Sequence, residues 1–486
     1  MIGRWTAAVL AALTFMGLAT ANAGGYRYGV SDQAFYIPAL AKALDPALFP
    51  RDTAVLAPQM GAWLGDDVVA AVSRVTAVDL PTLAGVLQIA TLILLAGAVA
   101  YLLRGLRASW WAVAGGLAIA SLRHHIPGTG ANSLEGYFHP RVLAFALGLW
   151  ALAFVLRRRV VPAFLMIALA AVVHPTTAVW IGGVVVVTVL SRLSTRSTPI
   201  VIVAGVAACA WFALRGARMD AAWLSVISVK DYLFPATWAI WEWTIDLAYP
   251  VVLWLMFRRR VALGRDVPGE RAVVTALLVA MLGFLLSVPL TVLHVTLAVQ
   301  LQITRILWVL DGVTLLYLAW WLVDDLAAGW GMRWRGVVVA LIAAVSLGRG
   351  WYVLTIDTPR PLVTTNLPAD DWTAAMRFLQ TQPAGIHVLA DPGHAWMYGS
   401  SVRVSALRDT VLETMKDEAM AIYDRAIAMR VAERQETLEG FAMWSDDRMR
   451  DVASRYHADV FVFDRSRAFS FPVLYQNARF VVYDLR

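Results

Sequence analysis

The chain has 486 residues, 59% hydrophobic and only 15% charged, with a mean hydropathy of +0.64. Soluble globular chains run at about 45–50% apolar and about 25% charged, so the composition excludes an ordinary soluble protein, and it is too apolar for disorder. The net charge of +7 divides into +10 over residues 1–356 and −3 over residues 357–486, and no basic run alternates with aromatics, which excludes a nucleic-acid surface. Cys209 is the one cysteine and sits in an apolar run, so neither an intrachain disulfide nor a cysteine metal site is available.

About 20 apolar residues cross a bilayer core. In chain order, eleven stretches qualify or nearly qualify: 5–22, 83–103, 109–122, 142–156, 160–173, 177–191, 199–214, 236–257, 272–292, 306–323 and 336–354. The expected fold is a polytopic α-helical membrane protein of about eleven helices, with 1–356 as its membrane domain. Arginine sets the orientation. Arg4, Arg104 and Arg107, Arg157 to Arg159, Arg192 and Arg196, Arg258 to Arg271, and Arg333 and Arg335 fall in one set of alternate loops. That set is expected to be cytoplasmic with the amino terminus, which places the first long loop (24–82) and residues 357–486 outside. Arg4, a short apolar stretch and Ala21-Asn22-Ala23 also have the build of a cleavable signal peptide, an alternative that leaves the topology unchanged.

Residues 357–486 read as a small extracytoplasmic α/β domain. Asp370 or Asp371 is placed to cap a helix carrying Trp372, Met376 and Leu379. GIHVLAD, ADVFVFD and ARFVVYDL are β-rich, while 409–436 and 446–456 read as helices. Asp391 and Asp464 end strands and are expected to cap turns.

Ionisable groups near membrane depth are costly and mark function by default. Here they collect on the outer side, whereas the cytoplasmic arginines and few carboxylates fit ordinary snorkelling. Asp32 follows the first membrane exit, either capping an interfacial amphipathic helix (Phe35, Ile37, Leu40, Leu44) or serving as a base. The short loop LRHHIPGTGANSLEGYFHPR supplies His124, His125, Glu135, His139 and Arg141. Guanidinium geometry suits Arg141 and Arg305 to a phosphate. His174 sits on a tight turn before Pro175, where it either satisfies backbone groups or joins this set. His124, His125 and His139 are of a type that binds metal but lack the spacing of a metal motif, so no metal site is assigned and a divalent cation is left open as a cofactor. Glu242 and Asp246 share a helix face, and Asp311 is expected inside the bundle.

The first-loop aspartate, the span number and the outward α/β tail resemble the C-type (GT-C) integral-membrane glycosyltransferases. The segments SDQAFYIPAL, DPALFPRD, EGYFHPR, HPTT and FPVLYQNARFVVYDL are similar to a group of bacterial membrane proteins of that build. The resemblance implies a polyprenyl-phosphate sugar donor and a location in the bacterial cytoplasmic membrane, among membrane lipid. It makes Asp32 the acceptor-activating carboxylate; Arg141, His139, Glu135, His174, Arg305, His124 and His125 are expected around the lipid phosphate on their own chemistry. Many members carry an acidic pair where this chain has Asp32 followed by Gln33. The alternatives are a transporter or flippase for lipid-linked or anionic substrates, and a non-catalytic envelope scaffold.

Overall fold

The computed structural model describes residues 2–194 and 196–486, with backbone alone for residues 2–5 and 62. The side chain of Arg4, counted above with the cytoplasmic arginines, therefore lies outside the described residues. The chain forms two compact units, the first built from Met1–Tyr26, Val86–Met219 and Lys230–Val363, the second from Arg27–Gly85, Asp220–Val229 and Thr364–Arg486. From Arg27 on, the first long loop thus belongs to the same unit as residues 364–486.

Among the described residues, seven helices are long and apolar enough to cross a membrane: Leu80–Gly105, Pro175–Leu193, Ser197–Arg215, Ile240–Ala262, Glu270–Val292, Thr296–Gly329 and Met332–Asp357. Four shorter apolar helices, Thr6–Asn22, Trp110–Ala120, Pro140–Leu156 and Val160–Val173, coincide with the remaining expected stretches. At 1.5 Å per residue, Val160–Val173 rises only about 21 Å against a hydrocarbon core of about 30 Å. In the first unit, Leu103, Leu152, Leu277, Trp308 and Val323 belong to one buried apolar cluster.

The arginines expected to snorkel do not all do so. Arg260 is fully buried and donates from Nε to Glu270 Oε1 at 2.6 Å and from Nη2 to Oε2 at 3.2 Å. Tyr317 Oη adds a bond to Glu270 at 3.1 Å. A guanidinium taken out of water needs such a partner, and one ten residues away supplies it.

The second unit holds a five-stranded sheet in the spatial order Asp409–Thr410, His387–Leu389, Val460–Asp464, Phe480–Asp484, Val473–Gln476. The first three strands run parallel, and the last two pairings are antiparallel. Asp370 caps the helix Asp371–Gln380 by accepting from Thr373 N at 2.8 Å. Trp372, Met376 and Leu379 of that helix pack with Val388, Val460 and Val482 of the sheet. The helix expected over 409–436 is instead an edge strand followed by two helices, Thr414–Ala421 and Arg425–Thr437. Asp424 makes the break, its side chain capping the second helix through Ala426 N. Asp391 and Asp464 do cap turns, accepting from Gly393 N and Ser466 N.

Gln33–Leu44 is a helix, yet Gln33 through Ala39 are all buried, as is Ala41, so it is a core helix and not one lying with a single face on lipid. The short segment Ala221–Ile227 is tied in by Trp223 Nε1 donating to Ala421 O at 2.7 Å and Arg425 Nε donating to Asp220 Oδ2 at 2.5 Å.

Candidate functional site

In the first unit the polar loop between Trp110–Ala120 and Pro140–Leu156 folds as a hairpin, with His125–Ile126 antiparallel to Ala131–Asn132. Gly136 turns the chain against the end of the first helix. A Cβ there would meet the carbonyl oxygens of Gly25 and Ala23 at 2.5 and 2.8 Å. That close approach sets Glu135, whose main-chain carbonyl accepts from Gln88 Nε2 at 3.1 Å. Glu135 Oε1 accepts from Arg141 Nη2 at 3.0 Å, with both residues buried. The Arg141 guanidinium lies 5.6 Å from the Trp308 ring centre, a cation–π contact.

Two histidines serve helix starts while remaining in the cluster. His139 caps Pro140–Leu156, its Nδ1 accepting from Arg141 N at 3.1 Å. His174 caps Pro175–Leu193 through Thr177 N at 3.3 Å. In both cases a proline at the first helical position fixes the entry, so the two side chains are held by local backbone geometry. Their rings lie 6.4 Å apart, and His139, Arg141 and Arg305 are all close enough to act electrostatically on His174. Arg305 donates from Nη1 to Thr129 O at 2.9 Å and from Nε to Gln302 Oε1 at 2.8 Å. Five of the anticipated residues, Glu135, His139, Arg141, His174 and Arg305, thus form one buried polar set in an apolar bundle. His124 is engaged elsewhere, its Nε2 3.0 Å from Asp311 Oδ2, and His125 is exposed.

Asp32 belongs to the second unit. Its side chain makes no helix-capping bond; Lys416 Nζ donates to its Oδ1 at 2.8 Å. The turn before it is built by Gly29, at φ +80°, and Ser31, at φ +53°. Gln33 closes this turn, its Oε1 accepting from Gly29 N at 2.7 Å. Lys416 is a residue that the sequence did not single out. The one signal available was its rarity, three lysines against 38 arginines. An ammonium is a flexible point charge where a guanidinium is a planar fork.

The helix Thr414–Ala421 that carries Lys416 is fixed by a buried ionic chain. Arg403 donates from Nη1 and Nη2 to the two carboxylate oxygens of Asp417 at 2.5 and 3.1 Å, and from Nε to Asp52 Oδ2 at 2.8 Å. Asp52 also accepts from Thr410 N at 3.0 Å and from Arg430 Nη2. Burial alone would raise the Asp52 carboxyl, but Arg403 and Arg430 hold it well below the usual carboxylate range. Burial pushes neighbouring Glu413 up to about 8. It pushes the His394 imidazole down to about 4, consistent with a neutral ring whose Nε2 accepts from Val402 N at 3.1 Å.

Among the described residues, no three His, Cys, Asp or Glu side chains converge as a metal would require, and an ammonium occupies one Asp32 oxygen. The donor set does not fit a divalent cation at Asp32, and no step is assigned to one.

No protein-family model matches the chain, and no curated protein matches it. Among solved structures it is similar to the oligosaccharyltransferase of Archaeoglobus fulgidus in its apo form, with a TM-score of 0.53 and 11% identity over 95% of this chain and 69% of that one. The same enzyme in complex with Zn and sulfate is similar at a TM-score of 0.43 and 13% identity, over 94% of this chain and 67% of that one. The first likeness is one of fold alone, shared by a chain with seven described helices long and apolar enough to cross a membrane and a five-stranded sheet towards its carboxyl-terminal end.

Proposed function

We propose that the protein is a membrane glycosyltransferase that takes a sugar from a polyprenyl-phosphate carrier at the outer face of a bacterial cytoplasmic membrane. The observation that carries this reading is the buried set around the Arg141–Glu135 pair, in a fold like that of an oligosaccharyltransferase. Two arginines and two helix-capping histidines in an apolar bundle suit an anion that arrives through the membrane. In this reading the chain spans the membrane eleven times, with the amino terminus inside and the second unit outside.

Arg141 and Arg305 bind the phosphate and stabilise the charge that grows on it as the bond from the sugar anomeric carbon to phosphate oxygen breaks. His139 and His174 assist them. Asp32 accepts the proton of the acceptor hydroxyl, whose oxygen forms the new bond to the anomeric carbon with inversion. Lys416 orients the Asp32 carboxylate. His124, engaged by Asp311, and the exposed His125 have no part in the step.

The test is native mass spectrometry of the purified full chain, followed by assay of sugar release from polyprenyl-phosphate hexoses. Wild type is expected to retain polyprenyl phosphate and Arg141→Gln to lose it, while Asp32→Asn retains it but loses turnover by about 10²–10⁴-fold. Retention of ordinary phospholipid alone, or unimpaired turnover in Asp32→Asn, overturns the reading.

A further inference from the structure

The helices Ile2–Asn22, Trp110–Ala120 and Met332–Tyr352 of the first unit pack against one another, and their carboxyl-terminal ends meet. Ser121 Oγ is 2.7 Å from Ser346 Oγ, and Asn22 Nδ2 donates to Ser346 O at 3.0 Å. Three arginines gather at this junction. Arg349 donates from Nη1 to Asn22 O at 3.0 Å and to Asn22 Oδ1 at 2.9 Å. Arg123 donates from Nε to Leu134 O at 3.2 Å. Arg360 donates from Nη2 to Thr358 Oγ1 at 2.9 Å and rests against Gly24, where a Cβ would meet that same nitrogen at 2.9 Å.

The negative ends of three helices explain why cations collect here. They do not satisfy them. Arg123 is near enough to act as a like charge on both Arg349 and Arg360. The exposed Asp357 is the carboxylate that acts on the latter two, while Glu135 lies 3.9 Å from Arg123 and is bonded to Arg141 at 3.0 Å. The buried Nε of Arg360 has no acceptor among the described residues. A buried donor left so costs free energy unless a ligand supplies the acceptor. Guanidiniums sharing one site match the several oxygens of a phosphate.

We propose that Arg123, Arg349 and Arg360 bind the phosphate group of an anionic membrane lipid. The helices that bring them together are apolar up to this edge, where hydrocarbon gives way to headgroups, so the phosphate comes from the bilayer. Arg123 lies 3.9 Å from Glu135, the partner of Arg141, but among the described residues Arg360 has no bond to any residue assigned to sugar transfer, so its variant tests this site separately from that function.

The test places the full-length chain in nanodiscs of phosphatidylcholine with or without phosphatidylglycerol, releases it, and counts retained lipids by native mass spectrometry. Wild type is expected to retain phosphatidylglycerol in preference. That preference should fall about five-fold for each arginine replaced in Arg123→Gln, Arg349→Gln and Arg360→Gln. Arg360→Gln leaves the Arg349–Asn22 bonds in place, so it keeps the test open if the other variants fold poorly. Phosphatidylglycerol should also raise the Tm of wild type more than that of Arg360→Gln. Equal retention in wild type and Arg360→Gln overturns the proposal. So does inorganic phosphate binding to wild type as tightly as the lipid does, which would mark a free-anion site.

Discussion

Lys416 Nζ donates to Asp32 Oδ1 at 2.8 Å, joining residues 384 positions apart in the chain. Lys416 is mostly buried and Asp32 somewhat less so, so the pair is partly shielded from water. Replacing Lys416 by Met is expected to lower kcat by about 10²-fold, because a misoriented base costs that much, with little change in Tm. Lys416→Arg should restore part of the rate, and the two variants should differ in the pH profile of kcat. A fall in Tm with an unaltered pH profile would reduce Lys416 to a structural role.

Asp52 is buried between Arg403 and Arg430, so Asp52→Asn leaves two arginines short of their counter-charge. Breaking a buried pair costs about 3–5 kcal/mol. Thermal unfolding of the full chain should show this as a loss of many degrees in the second unit, with early proteolysis at residues 220–229. Stability within about 1 kcal/mol of wild type would contradict the role given to this chain of charges.

Asp66 provides a pH test. Burial raises its carboxyl to about 7 despite a 2.6 Å bond from Gln59 Nε2. A folded value above the ordinary value of about 4 means that its contribution is full below about pH 4 and is lost as pH rises through 7. Glu413 acts in the same direction through about 8, whereas Asp52, held low, contributes above the ordinary value and loses its contribution only in strong acid. The stability of wild type, and Tm with it, should therefore decline between about pH 4 and 8, with a loss on the order of 4 kcal/mol from Asp66 that is complete near pH 7. In Asp66→Asn the decline should be shallower. An identical slope in both would refute the assignment.

Orientation can be read by labelling, since Cys209 is the one cysteine to remove. In a Cys209→Ser background, Trp396→Cys, at a site 78% exposed in the second unit, should react with an impermeant maleimide on intact cells. Trp330→Cys, at a site 58% exposed beside Arg333, should react only after permeabilisation. The reverse pattern would invert the topology.

Hydropathy located the apolar helices because a bilayer imposes unbroken apolar length, and even the short Val160–Val173 matched its expected bounds. The loop from Leu122 to Arg141 was legible for a related reason: polar residues wedged between apolar runs are conspicuous. Asp52 stands out with the other outer-side carboxylates but its partner does not, and Lys416 does not stand out at all, because Arg403 and Asp32, their respective partners, lie hundreds of residues away. The helix Gln33–Leu44 carries an apolar stripe that fits an interface as well as a core, because such a stripe does not say what will cover it. Residues 409–436 misled for the opposite reason. Asp409 and Thr410 pair with His387 and Val388 as a parallel edge strand, a match made by tertiary context and not by local propensity.

The division of the second unit into three stretches of chain also has a temporal side. Asp52 leaves the ribosome 351 residues ahead of Arg403. At about 5–20 residues per second, the emerging loop waits about 20 to 70 s for its first counter-charge. Throughout that interval Phe49 and Leu56, fully buried in the finished protein, have no tail to fold against. Biogenesis of this protein therefore includes a stage in which an acidic, apolar loop must be kept from other partners until the tail has been synthesised.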